Sequence, residues 1–138
     1  MGFPLARNVR YRYFSSFLAP RVGQVRWYNH ARGKTSDGTL LRAHDGVDVY
    51  AAKGTPLLAV VSGTIVDPAT LWKPWNPARY GLTVVIQSDE PTSVGYRALY
   101  AHLDSVAVNI GQHVERGDVL GRLGITGNAR GTNPHVHF

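Results

Sequence analysis

The sequence predicts a compact all-β domain with antiparallel pairing, and three observations carry that prediction. Short runs rich in Val, Ile, Leu and Tyr recur along the chain. Turn-forming residues close these runs. No stretch of about 12 residues or more repeats apolar positions three and four apart, as a helix would require. Fifteen glycines and eight prolines supply the punctuation.

Val47 to Ala51 is the first run, ended by Lys53-Gly54-Thr55-Pro56. Leu57 to Val66 follows with Ser62-Gly63 inside it, and Leu82 to Gln87 is entered through Tyr80-Gly81. Tyr96 to Leu103 comes next, then Val106 to Ile110 closing on Asn109-Ile110-Gly111, and Val119 to Leu123 after Arg116-Gly117-Asp118. Gly, Asn, Asp and Pro mark these boundaries because each supplies a turn conformation that branched residues resist. Two regions break the rhythm. Asp67 to Arg79 carries Pro68, Pro74 and Pro77 with Trp72 and Trp75, too much proline for a central strand, and reads as a long loop that either borders a binding site or covers the sheet. Met1 to Leu41 is irregular and basic, with Arg7, Arg10, Arg12, Arg21, Arg26, Arg32 and Lys34 among Tyr11, Tyr13, Trp27 and Tyr28. Cations interleaved with aromatics suit single-stranded nucleic acid. Without a recognisable nucleic-acid motif, a solvated segment wrapping the sheet is the preferred reading.

At 138 residues the chain makes one domain. Charged residues are only 17%, and apolar and aromatic residues are plentiful, which excludes disorder. Fifteen Lys and Arg against nine Asp and Glu leave a formal charge of +6, which favours an anionic partner: nucleic acid, an acidic polymer or a cell wall. Zero cysteines exclude disulfides, zinc ribbons, thiol nucleophiles and iron–sulfur clusters, so any metal would be held by His and carboxylate. No apolar run approaches the roughly 20 residues of a membrane helix. The residues from Met1 lack the pattern of a signal peptide, so the expectation is a cytosolic protein or a trimmed domain.

Six histidines, at 30, 44, 102, 113, 135 and 137, carry the chemistry. In His135-Val136-His137 the two imidazoles share one face of a strand, while Val136 points to the other face and can enter a core. In His44-Asp45-Gly46-Val47-Asp48 an imidazole and a carboxylate four apart can share a face if the extended chain bends at Gly46. A helix would also juxtapose them, but Gly46 and the β-branched run after it disfavour one. His102, within Leu99-Tyr100-Ala101-His102-Leu103, reads as a strand-end histidine turned toward a cleft. This inventory suits zinc, which in catalytic sites takes three His or carboxylate ligands and keeps a fourth position for water; Mg²⁺ and Ca²⁺ would want more oxygen. His30 and His113 receive no role.

Four blocks, in order, then carry a family resemblance: His44-Asp45-Gly46-Val47-Asp48 with Ala51-Ala52-Lys53-Gly54-Thr55-Pro56; Ser62-Gly63-Thr64-Ile65-Val66; Tyr100-Ala101-His102-Leu103 with Gly111-Gln112-His113-Val114; and Gly121 to Gly124 with Thr126 to Phe138. The sequence resembles the catalytic domain of the LytM/lysostaphin-type zinc metallopeptidases, which cut peptide bonds in bacterial peptidoglycan. The resemblance implies a small antiparallel β sandwich with an active-site groove on one face and the tryptophan loop as a groove wall. It also implies Zn²⁺ on His44, Asp48 and His137, with His102 and His135 as unliganded catalytic histidines. The catalytic domain is expected over 42–138, cut short at its C-terminal end because the family continues the strand past Phe138, with 1–41 an irregular basic segment packed on it. Phe17-Leu18-Ala19-Pro20-Arg21 resembles a family segment that usually has glycine in place of Leu18.

The implied activity is an endopeptidase acting on a stem-peptide crosslink or a glycine-containing bridge, outside the cytoplasm, with no nucleic-acid partner. No His-Glu-x-x-His helix supplies a glutamate base, so a histidine, ordinarily titrating near 6.5, takes that part. Three other readings compete. A LytM-like module without catalysis could activate another hydrolase, but all five key residues are present. A carrier domain would share the glycine-bounded hairpins, yet it needs a modified lysine or a phosphorylated histidine at a turn and leaves the converging histidines and Asp48 unexplained. A nucleic-acid-binding protein rests on charge alone.

Overall fold

The computed structural model describes residues 1–13, 20–25, 31–34 and 40–138, with backbone alone for the three strands between 20 and 43. His30 lies outside the described residues, as do Trp27 and Tyr28. The chain divides into two units, Met1–Arg12 with Val49–Phe138, and Tyr13–Asp48. In the second unit β2 (Pro20–Val25), β3 (Ala31–Lys34) and β4 (Leu40–Ala43) form an antiparallel sheet in the order β2-β4-β3, so part of the segment read as irregular is strand.

The larger sheet has nine strands. They are β1 (Arg12–Tyr13), β5 (Asp48–Tyr50), β6 (Pro56–Leu58), β7 (Gly63–Ile65), β8 (Leu82–Ser88), β9 (Arg97–Val106), β10 (His113–Val114), β11 (Val119–Leu123) and β12 (His135–His137). Neighbours run β1-β5-β12-β9-β8-β7-β10, and β11 joins β6 to β9. The registered pairs are antiparallel, the longest being β8 on β9 from Leu82↔Leu103 to Gln87↔Arg97. Val84, Val85 and Ile86 are buried in succession, so β8 is covered on both faces where simple alternation would leave one wet. Leu57, Leu103, Leu120, Leu123 and Val136 join them in the core, each worth about 1.5–3 kcal/mol of apolar burial. Among the described residues Tyr100 is the largest fully buried side chain; its hydroxyl accepts from Val60 N and donates to Leu58 O, and burial pushes its phenol well above the ordinary value.

The elements differ from the sequence reading in three further places. The run 57–66 is two short strands, because the amides between them bond elsewhere: Ala59 N to Asp118 O, Val60 N to the Tyr100 hydroxyl and Ser62 N to Glu90 Oε1. Of the run 106–110 only Val106 is strand; β7 pairs instead with the turn that follows, through Gly111 N to Ile65 O and Ile65 N to Gln112 O. The proline-rich loop holds two single-turn helices, α1 (Pro68–Leu71) and α2 (Pro77–Tyr80). Each begins with proline behind a capping side chain, Asp67 Oδ1 accepting from Ala69 N and Asn76 Oδ1 from Arg79 N. At the N-terminus Leu5 is buried and Pro4 O accepts from Leu58 N, while Arg7, Arg10 and Arg12 are exposed.

Candidate metal centre

β12 lies beside β9, with His137 opposite Ala101, and its alternation is the expected one: Val136 is fully buried in the core. His135 and His137 are buried as well, and the ring of His102 approaches both, with centroids 5.0 Å from His135 and 6.0 Å from His137. His102 is not at a strand end. It sits within β9 at a bulge, where the pairs Leu82↔Leu103 and Val84↔Tyr100 leave Ala101 and His102 facing Thr83 alone. It is also the one non-glycine residue with positive φ, +66°, among the described residues.

Both histidines are oriented by backbone carbonyls. His102 Nδ1 lies 2.9 Å from Thr126 O, and His135 Nδ1 2.8 Å from Asn133 O. A carbonyl only accepts, so each Nδ1 carries the hydrogen, and in each neutral ring Nε2 is the lone-pair nitrogen.

His44 to Val47 lies between strands with a bend at Gly46, and Asp48 opens β5. The bend brings His44 Nε2 to 3.1 Å from Asp48 Oδ1, with His44 buried. His44, Asp48 and His137 each offer one ligand atom, and these atoms lie within 4.8 Å of one another. In a tetrahedral zinc site, donors about 2.0–2.1 Å from the metal stand roughly 3.3 Å apart. The spacing and the nitrogen–nitrogen–oxygen chemistry therefore fit zinc, and this is the one such group among the described residues.

Aromatic rings flank the histidines. Tyr50 lies 5.1 Å from the His135 ring and Tyr80 6.2 Å from the His137 ring. Trp75 stacks on Tyr80 at 4.6 Å, Trp72 follows at 6.0 Å, and the Arg79 guanidinium covers the Tyr80 face at 4.5 Å. The tryptophan loop thus packs on Tyr80, the ring that flanks His137. Tyr50, Tyr80 and Thr126 were not singled out by spacing, since what places them is contact with residues far along the chain. His113 lies apart from this cluster on β10, half-exposed, with Nε2 2.8 Å from Asp89 Oδ2.

An antiparallel fold that gathers two imidazoles and a carboxylate, with two further histidines beside them, has the donor set of a hydrolytic metalloenzyme. The sequence pattern of Peptidase family M23 matches residues 42–138, and the chain belongs to that metallopeptidase family. It is 37% identical over 95 residues to lysostaphin of Staphylococcus simulans, covering 69% of this chain and 17% of lysostaphin. It is 36% identical over 95 residues to the glycyl-glycine endopeptidase ALE-1 of Staphylococcus capitis, covering 69% of this chain and 24% of ALE-1. The structure matches that of a zinc-containing peptidase from Vibrio cholerae with a TM-score of 0.67 at 25% identity, over 98% of this chain and 34% of that one. The chain therefore spans at most 24% of these two sequence relatives. Among the described residues, no helix is long and apolar enough to cross a membrane.

Proposed function

We propose that this domain is a zinc-dependent endopeptidase that hydrolyses peptide bonds of bacterial peptidoglycan, in a stem-peptide crosslink or a glycine-containing bridge, outside the cytoplasm where that polymer lies. The observation that carries the proposal is the His44, Asp48 and His137 donor set, with two carbonyl-anchored histidines, of which His102 lies near both His137 and the other, His135. Similarity to lysostaphin and to a glycyl-glycine endopeptidase supports the substrate class. The surplus of cationic side chains suits an anionic wall polymer.

His44, Asp48 and His137 would hold the ion; two neutral imidazoles and one carboxylate leave a dication a formal charge of +1, which acidifies water and polarises a carbonyl. The remaining work falls to the two anchored histidines. One takes the proton of the attacking water at Nε2 as the new carbon–oxygen bond forms and the carbonyl π pair moves onto oxygen. The other, protonated at Nε2, donates to that developing oxyanion. The proton taken from water then passes to the amine nitrogen as the carbon–nitrogen bond breaks. Fixing the hydrogen on Nδ1 makes Nε2 the working nitrogen in both rings.

The test is incubation of the zinc-loaded protein with intact peptidoglycan and mass spectrometry of new amino termini, with a chelated control. Chelator-sensitive termini are expected, and they identify the bond. Their absence while zinc stays bound overturns the hydrolase reading in favour of a regulatory module.

A further inference from the structure

The backbone of His102 has a positive φ, +66°, a conformation that side-chain-bearing residues rarely adopt, so its surroundings must hold it there. Four hydrogen bonds from a single half-buried residue do so. Thr126 Oγ1 donates to Leu103 O at 2.6 Å and accepts from Leu82 N at 3.0 Å, standing in for a ladder bond between the two residues that pair next to the bulge. Thr126 N donates to His102 O at 3.4 Å, and Thr126 O accepts from His102 Nδ1 at 2.9 Å. One residue therefore fixes the strand separation at the bulge, the carbonyl of His102 and the tautomer of its ring.

A second observation points to the same residue. Gly81, at the end of α2, and Gly127, which opens a 3₁₀ turn (Gly127–Ala129), both have positive φ, +66° and +68°. A Cβ on Gly81 would strike Thr126 Oγ1, and one on Gly127 would strike the Arg79 carbonyl. Two glycines thus admit the close approach that seats Thr126 against β8 and β9.

We propose that Thr126 is a positioning residue for the reaction: its hydroxyl clamps the β8–β9 bulge so that its own carbonyl holds His102 as the Nδ1–H tautomer. The inference rests on the endopeptidase reading for its kinetic consequence but not for its geometric one. Valine keeps the shape of threonine and can neither donate nor accept; serine can do both.

The experiment combines long-range ¹H–¹⁵N spectra of the His102 ring with kcat, KM and zinc content for the zinc-loaded parent, Thr126→Val and Thr126→Ser. The parent and Thr126→Ser are expected to show the Nδ1–H tautomer and similar kcat. Thr126→Val is expected to show mixed tautomers and about a tenfold lower kcat, a fraction of the 10²–10⁴ that a positioned base supplies, with KM and zinc content unchanged. An Nε2–H tautomer in the parent overturns the inference whether or not the valine variant folds. So does a valine variant with parental kcat, or failure of serine to restore it. If the parent cuts nothing, the endopeptidase reading falls while the ring spectra still decide the role of Thr126.

Discussion

His102 and His135 sit in one setting and His113 in another. The first two are 6% and 7% exposed and give Nδ1 to backbone carbonyls of Thr126 and Asn133. The side chain of His113 is 48% exposed and lies between two carboxylates, 2.8 Å from Asp89 and 3.6 Å from Glu115. A backbone carbonyl cannot swing away and cannot donate, so it dictates which nitrogen bears the hydrogen. Surface carboxylates accept from either nitrogen and move with their own side chains, which is why exposed pairs of this kind contribute little. Having a partner does not distinguish the two settings. Having a fixed, neutral partner inside a buried cluster does.

The largest effects that would break this comparison concern the buried side. Alanine at His44, Asp48 or His137 is expected to abolish both zinc binding and peptide cleavage. Alanine at His102 or His135 is expected to lose about 10²–10⁴ in kcat and retain zinc. Elemental analysis of metal content beside a cleavage assay separates the two classes. Full zinc occupancy in His137→Ala would falsify the ligand assignment, and loss of zinc from His102→Ala would erase the distinction between holding the ion and moving the proton.

How far the sequence could take this reading follows from where each residue finds its partners. The strand alternation of His135-Val136-His137 and the bend at Gly46 are local, so the shared face of the two imidazoles and the meeting of His44 with Asp48 were legible in spacing. Asp67 and Asn76, each followed by proline, cap α1 and α2, but single turns leave no periodic pattern, so this segment reads as a loop in the sequence. The break in 57–66 was legible only as the turn residues Ser62-Gly63; the early end of β6 was not, because the partners of the intervening amides come from Glu90, Tyr100 and Asp118. Thr126 was hidden for the same reason, since its hydroxyl bonds residues 23 and 44 positions away.

A smaller effect sharpens the surface side, through Glu90 next to the Asp89 that pairs with His113. Glu90 accepts from Arg116 Nε at 3.0 Å and from Ser62 N at 2.8 Å. The Arg116 side chain first, then the Ser62 amide, lowers its carboxyl to about 2. A carboxyl depressed in the folded state stabilises the fold above its ordinary value and loses that contribution as the pH falls through about 2. Glu90→Gln is therefore expected to melt below the parent at neutral pH, with the two melting curves converging as the pH drops from the ordinary carboxylate range toward 2. A gap that stays constant across that range would mean the carboxylate charge contributes nothing and only the shape of the side chain matters.

The smallest effect is expected at His113 itself. Removing a half-exposed ring whose partners are surface carboxylates leaves no buried group unsatisfied, because Asp89 and Glu115 pass to water. His113→Ala is accordingly expected to shift stability by no more than about 0.5 kcal/mol and to leave zinc content and kcat at parental values. Thermal melts and the cleavage assay measure both. A tenfold fall in kcat would require this distant pair to reach the histidine cluster through β10 and β7. The contrast between a carbonyl-fixed histidine and a surface one would then no longer account for which histidines the domain needs.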